Sequence, residues 1–240
     1  MCLHKAFLLS GAAALVSSAA LAAESPGNTP PLRASDVVGV HGVRAPAHNQ
    51  LAGEPAGPSL CGTKFGAELS QPDGLISWND TTETGYNTAA AADFTCSVKT
   101  KVKQVWVTGW FGTNPEQYNV TFYKNGGADG SDEPNDSQIV CAYTGLIGAG
   151  DGGYEGPVLT QLKLPAPCKF KAGKKYWVSV QNNDSAGPWY WEVTSQLSGT
   201  QADWVDRNNK FSDGCTAFDD DRYLVDCLGY TYPDYMLELH

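Results

Sequence analysis

The stretch Gln104-Val105-Trp106-Val107-Thr108-Gly109-Trp110, followed after seven residues by Tyr118-Asn119-Val120-Thr121-Phe122-Tyr123-Lys124, decides the fold class. In the first, Val105 and Val107 fall on one side of an extended chain and Trp106 and Trp110 on the other. In the second, Tyr118, Val120 and Phe122 alternate with Asn119, Thr121 and Tyr123. A period of two marks a strand, because successive side chains of a strand point to opposite faces. Residues 138–143, 157–164, 175–181, 189–194 and 235–239 show the same alternation or the same β-branched and aromatic content. Between these runs stand the turn signals Asn125-Gly126-Gly127, Asp151-Gly152-Gly153, Lys171-Ala172-Gly173 and Ala186-Gly187-Pro188. Seven or more strands at this spacing predict an all-β fold, an antiparallel β-sandwich. Helix is scarce; the best local candidate is the alanine-rich run 88–94.

The composition agrees with that reading. Of 240 residues, 26 are Gly and 14 Pro, aromatics are 11% and charged residues 18%, a turn-rich profile suited to short strands. The 26 acidic against 16 basic side chains, net charge -10, repel phosphate backbones and exclude nucleic acid as the main partner.

Residues 1–22 have the order of a secretory signal: His4 and Lys5, an apolar run from Ala6 to Val16, then small residues ending Ala20-Leu21-Ala22. Cleavage after Ala22 is expected. Cys2 lies at the wrong end for lipid attachment, and no later stretch approaches the roughly 18 apolar residues of a membrane span, so the mature chain is expected to carry no anchor. Residues 23–59 are rich in Pro, Ala and Gly without sustained periodicity and read as a flexible leader; residues 60–240 form the sandwich domain. An exported chain, extracellular or periplasmic, meets oxidising conditions. The six remaining cysteines, Cys61, Cys96, Cys141, Cys168, Cys215 and Cys227, therefore read as three disulfides. Fifteen connectivities exist for six cysteines, and pairing of sequence neighbours is the simplest. No CxxC pair is present and the mature histidines are only His41, His48 and His240, so thiolate zinc chemistry is disfavoured.

Four pieces, Val105 to Trp110, Val120 to Gly127, Tyr176-Trp177-Val178-Ser179-Val180-Gln181 and Trp189-Tyr190-Trp191-Glu192, occur in this order with Cys141 and Cys168 between the second and third. The order resembles an accessory β-sandwich domain of exported bacterial proteins, found beside peptidase or adhesion modules and mostly without an assigned activity. The resemblance covers more than half of the chain. It implies a jelly-roll-like fold and a noncatalytic role, and supplies no functional residues. No enzyme domain accompanies the sandwich here, so the sandwich itself is expected to carry the role.

Catalytic signatures are missing: there is no G-x-S-x-G, no H-E-x-x-H and no phosphate-binding loop, and no mature histidine sits near a nucleophile. A glycosidase needs only two carboxylates across a sugar cleft; Glu192 and the run Asp219-Asp220-Asp221 are the candidates, although alternation turns Glu192 to solvent. For a cation, Asp129, Asp132, Glu133 and Asp136 on a glycine-rich loop suit Ca²⁺, as do Asp219, Asp220 and Asp221. Pro134 stands where an EF-hand needs glycine, so the loop is not of that kind. Seven tryptophans supply rings that a sandwich can expose as stacking platforms, with Trp110, Tyr190 and Trp204 the candidate ligand-binding set, while most rings are expected to pack between the sheets. Four glycosylation sequons, at Asn79, Asn119, Asn135 and Asn183, read as coincidental in a bacterial chain. The leading expectation is a secreted, noncatalytic sandwich that binds a carbohydrate or other cell-surface polymer. The alternatives are an acid-pair glycoside hydrolase and a structural or protein-binding surface component.

Overall fold

The computed structural model describes residues 58–61, 74–80, 85–110, 117–126, 130–148, 158–183, 188–195, 197–218, 227–228 and 234–240, the Trp110 side chain excepted. The expected signal, the leader up to residue 57 and the acidic residues Asp129, Asp219, Asp220 and Asp221 lie outside the described residues. The fold is an all-β antiparallel sandwich of eleven described strands in two sheets. These are β1 (Gly74–Ile76), β2 (Thr88–Thr95), β3 (Thr100–Trp110), β4 (Gln117–Asn125), β5 (Pro134–Ile147), β6 (Val158–Phe170), β7 (Lys175–Asn182), β8 (Tyr190–Thr194), β9 (Asp203–Asp206), β10 (Asp234–Tyr235) and β11 (Leu237–Leu239).

One sheet runs β5-β4-β7-β2-β9. The other is organised on β3, which pairs with β6 along one edge, from Thr100 opposite Phe170 to Gly109 opposite Val158. Its second edge is shared: Val105 to Val107 pair with β11, and Gly109 and Trp110 pair with β8. The short strand β10 then pairs with the far end of β8, and β1 lies on the other edge of β8. Gly109 sits where β3 meets β8, and a Cβ there would come within 2.5 Å of the Tyr190 carbonyl oxygen and 2.6 Å of the Trp189 ring. Only glycine admits this approach.

Alternation puts Val105, Val107, Tyr118, Val120, Phe122, Val178 and Val180 into one core between the sheets, with Phe94, Phe170, Trp189, Trp191 and Trp204. The opposite residues of the five-stranded sheet make a second, smaller core on its outer face, from Ala89, Ala91, Tyr123, Trp177, Val205 and Phe218. This second layer explains the one element that departs from expectation. The run 88–94, the helix candidate, is strand β2, held between β7 and β9. Ala90, Ala92 and Phe94 face the main core while Ala89 and Ala91 face the second. Small side chains suit a strand covered on both faces, and two-sided pairing overrides the helix preference of alanine. Strands β1 and β9 are too short to show a period and are not visible in the sequence pattern.

The three disulfides join sequence neighbours: Cys61–Cys96, Cys141–Cys168 and Cys215–Cys227. Cys141 is on β5 and Cys168 on β6, so this bridge ties an edge of one sheet to an edge of the other. Tyr143 reinforces the seam by donating its hydroxyl to the Ala166 carbonyl at 2.7 Å. Three bridges suit an oxidising compartment, and no helix among the described residues is long and apolar enough to cross a membrane.

Replacing Cys141 and Cys168 together by alanine opens a loop of 27-residue separation, which should cost about 3 to 4 kcal/mol through the entropy of the unfolded chain. Urea unfolding of the oxidised double variant measures this. A loss below about 1 kcal/mol would show that strand pairing alone holds the sheet edges together.

Candidate functional site

The expected aromatic platform does not form. Tyr190 is 2% exposed and Trp204 fully buried. Trp204 donates its indole N–H to the Ile76 carbonyl at 2.8 Å and packs near Phe211, with ring centroids 6.2 Å apart. Both residues belong to the main core because their strands are covered on both faces. The Trp110 side chain lies outside the described residues. The six described tryptophans are all buried, as the packing reading expects. Glu192 also departs from expectation: all five residues of β8 are buried, so alternation leaves no solvent face for it.

The acidic loop is divided between two protein cations. Lys175 Nζ donates to Asp132 Oδ2 at 2.5 Å and to Thr200 Oγ1, and the Thr200 hydroxyl donates to the same carboxylate at 2.5 Å. Burial opposes the Asp132 charge, but hydrogen bonds from Lys175, Thr200 and Asn125 and the charge of Lys175 outweigh it and hold the carboxyl below its ordinary range. Asp136 instead takes a two-pronged contact from Arg207, both N–H···O distances being 2.9 Å. The Arg207 guanidinium also lies 5.1 Å from the centroid of the Phe218 ring. The two carboxylates thus serve separate ion pairs and do not converge on a shared cation. Among the described residues no group of three or more His, Cys, Asp or Glu side chains is arranged for a metal. Glu133, also in this loop, is fully buried and accepts from the Ser131 hydroxyl at 2.9 Å.

A cleft of about 230 Å³ opens beside the end of β2, among Asp93, Phe94, Ser198, Gly199, Leu237 and Leu239. Asp93 is the single carboxylate in its lining. It accepts from the Thr200 amide at 3.1 Å and lies 3.7 Å from Lys175 Nζ. Gly199, at φ +101°, lets the loop close on this carboxylate, since a Cβ there would overlap the Asp93 side chain. Asp93 therefore fastens the loop, and the cleft holds no second acid for hydrolysis across a sugar.

The most distinctive surface is the outer face of the six-stranded sheet along β3 and β6. Residues 94–115 and 156–183 contain eight of the 16 basic residues and none of the 26 acidic ones. Strand pairing brings the two stretches together. Lys101 is opposite Lys169, and Gln104 is opposite Lys163. Lys99, Lys101, Lys103, Lys163, Lys169, Lys171 and Lys174 are all exposed. The Lys103 and Gln104 amides both donate to the His240 carbonyl, at 2.6 and 2.7 Å, which is the geometry of a β-bulge. With Val102 and Val105 both buried in the core, the bulge turns Lys103 and Gln104 to the same outer side. Opposite Lys103, strand β6 spends four residues, 164–167, before pairing resumes. Next to the lysines the Gln104 side-chain oxygen accepts from Gln161 Nε2 at 2.9 Å and from Trp106 Nε1 at 3.3 Å. The Gly173 amide donates to the Cys96 carbonyl at 2.8 Å, which places the turn bearing Lys171 and Lys174 beside the turn bearing Lys99. None of these seven lysines is in an ion pair among the described residues. Among the described residues an acid on this face, Glu238, is opposite Trp106 and is engaged by His240 at 3.0 Å. The alternation of Lys99, Lys101 and Lys103 is the sequence signal for this face, but the pairing of β3 with β6 is needed to see that the second group of lysines joins it.

No family model matches the chain, and neither does any curated protein or solved structure.

One buried group makes a sharp test of the acids that remain inside. Tyr235 is fully buried, stacks on Trp191 with centroids 4.8 Å apart, and its hydroxyl has no hydrogen-bond partner among the described residues. Burial first, then the charges of Asp203 and Asp234, hold its phenol well above the ordinary value near 10. The unfolded phenol ionises above pH 10 while the folded one keeps its proton, so its contribution lowers stability as pH rises past that value. Tyr235→Phe should leave stability at pH 7 unchanged or raise it by up to about 1 kcal/mol, and should lose less stability than the parent between pH 9 and 11. Urea unfolding at both pH values checks this, and a loss above about 1 kcal/mol at pH 7 would reveal a partner for the hydroxyl.

Proposed function

We propose that this chain is an exported, noncatalytic binding module for an extracellular or cell-surface polymer, a glycan first, and that it grips the polymer on the outer face of β3 and β6. The observation that carries this reading is the continuous polar face of Gln104, Gln161 and the flanking lysines, built on two long paired strands. Side-chain amides can exchange hydrogen bonds with sugar hydroxyls, and a sheet face presents them in a fixed array. The three disulfides support export, since such bridges persist in oxidising compartments. The accessory-domain resemblance supports a noncatalytic role.

Retention of the oxidised chain on a panel of insoluble polysaccharides and isolated bacterial cell walls tests the reading. At least one matrix should retain it above a denatured control. Gln104→Ala with Gln161→Ala should reduce retention at least threefold while shifting unfolding by less than about 1 kcal/mol, as expected for partly exposed polar residues. Retention of a protein partner alone, with no polysaccharide or wall bound, would overturn the proposal.

A further inference from the structure

We infer that the polymer held on this face is an anionic polysaccharide, recognised by a lysine row along β3 and β6; the inference rests on the binding role proposed above and adds the charge of the ligand. Lys101 and Lys169 are register partners. Like charges placed directly opposite one another in an antiparallel pair, with Cβ atoms about 5 Å apart, destabilise the sheet. A chain with 26 acidic residues has ample means to neutralise them, yet neither is ion-paired among the described residues. By contrast, Lys175 and Arg207, which face the five-stranded sheet's own acids, are both paired. Seven unpaired lysines are thus gathered on one face, whereas of the four described lysines and arginines elsewhere Lys175 and Arg207 are ion-paired, and a dense set of unneutralised cations suits an anionic ligand.

The spacing suits a polymer. Lys99 to Gln104 covers about 17 Å at the rise of a strand, and the turn with Lys171 and Lys174 extends the row at one end. Several charges then meet one chain at once, so weak individual contacts add through a single tethered ligand. The net charge of -10 does not prevent this, because at physiological salt exposed charges more than about 8 Å away are largely screened and the local sign decides what approaches the face.

The same charge pattern selects among polyanions. A thin, flexible polysaccharide can follow the lysine row and touch the Gln104 and Gln161 amides. A nucleic-acid strand gains much of its affinity from bases stacked on exposed aromatic rings, and the six described tryptophans are buried. A membrane needs an apolar insertion face as well as cations; of the large apolar side chains exposed among the described residues, Val98 adjoins the row by its place next to Lys99.

Dextran, carboxymethyl-dextran and phosphorylated dextran share one backbone and differ in charge, so titrating the oxidised full chain with each separates charge from sugar recognition. The two charged dextrans should bind at least tenfold more tightly than dextran at 50 mM NaCl. Their log K should fall with log salt with a slope steeper than about -2, as expected when several cations release counterions. Lys101→Gln with Lys169→Gln should weaken binding at least fivefold and flatten the slope by about 1. Lys124→Gln, at a lysine engaged by Gln138 on the other sheet, should change neither. Equal, salt-independent binding of neutral dextran would overturn the anionic reading and leave polymer binding standing. Failure of the charged dextrans, with no retention on any polysaccharide or wall, would overturn both. Tighter binding to an oligodeoxynucleotide or to phosphatidylglycerol vesicles than to either charged dextran would overturn the polysaccharide assignment.

Discussion

Strand β3 has to satisfy two edges, two faces and three partners, and the rest of the molecule is arranged around that requirement. Its backbone is saturated by β6 on one side and by β11 and β8 in succession on the other, so it cannot slip in register without breaking both ladders. The bulge at Lys103 and Gln104 makes the two ends of the strand compatible. It inserts one extra outward residue between Val102 and Val105, so both valines stay in the core while the ladder continues. Without it, one end of β3 would turn its apolar residues to solvent. The His240 carbonyl closes the bulge, so a residue more than a hundred positions further along the chain helps to fix the conformation of β3.

A second constraint comes from covering a sheet on both sides. The five-stranded sheet packs its inner face on the main core and part of its outer face on the cluster around Trp177, Tyr123 and Phe218. The outer cluster is capped by Arg207, which spans the Phe218 ring and the Asp136 carboxylate. For Arg207, burial opposes the charge, and the Asp136 contact outweighs it and holds the guanidinium above its ordinary range. Thus an acid that suggested a cation site in the sequence anchors a structural cap. The same double coverage drives tryptophan and tyrosine inward on strands that alternation alone would leave half exposed.

These two constraints explain what was legible in the sequence and what was not. Strands such as β4 and β7, with Tyr118, Val120 and Phe122 or Val178 and Val180 at every second place, declare themselves because period two is a local property. Disulfide partners are read correctly because each bridge joins neighbours in sequence. The alanine strand β2 reads as helix because its small residues answer to two layers that lie far away in the chain. Glu192 and Tyr190 are assigned to solvent for the same reason: the number of covered faces is a tertiary quantity. Three of the seven lysines are visible in the alternation of Lys99, Lys101 and Lys103, but Lys163 and Lys169 join them only through a pairing across about sixty residues.

The acidic excess, taken as a whole-chain number, points away from anions, but a whole-chain number does not describe the charge of the β3 and β6 face. Net charge governs long-range approach, whereas contact is governed by charges within a Debye length. Where acids and bases are mixed, the two measures agree. Here they are partly segregated, because half of the basic residues fall in two stretches devoid of acid, and strand pairing brings seven of those eight to one face. The acidic remainder then has a role of its own. It disfavours broad anionic surfaces that meet many sides of the protein at once, while a slender chain confined to the β3 and β6 face feels mainly the lysines. Segregation thus turns an overall negative charge from an argument against anionic ligands into a filter on their shape.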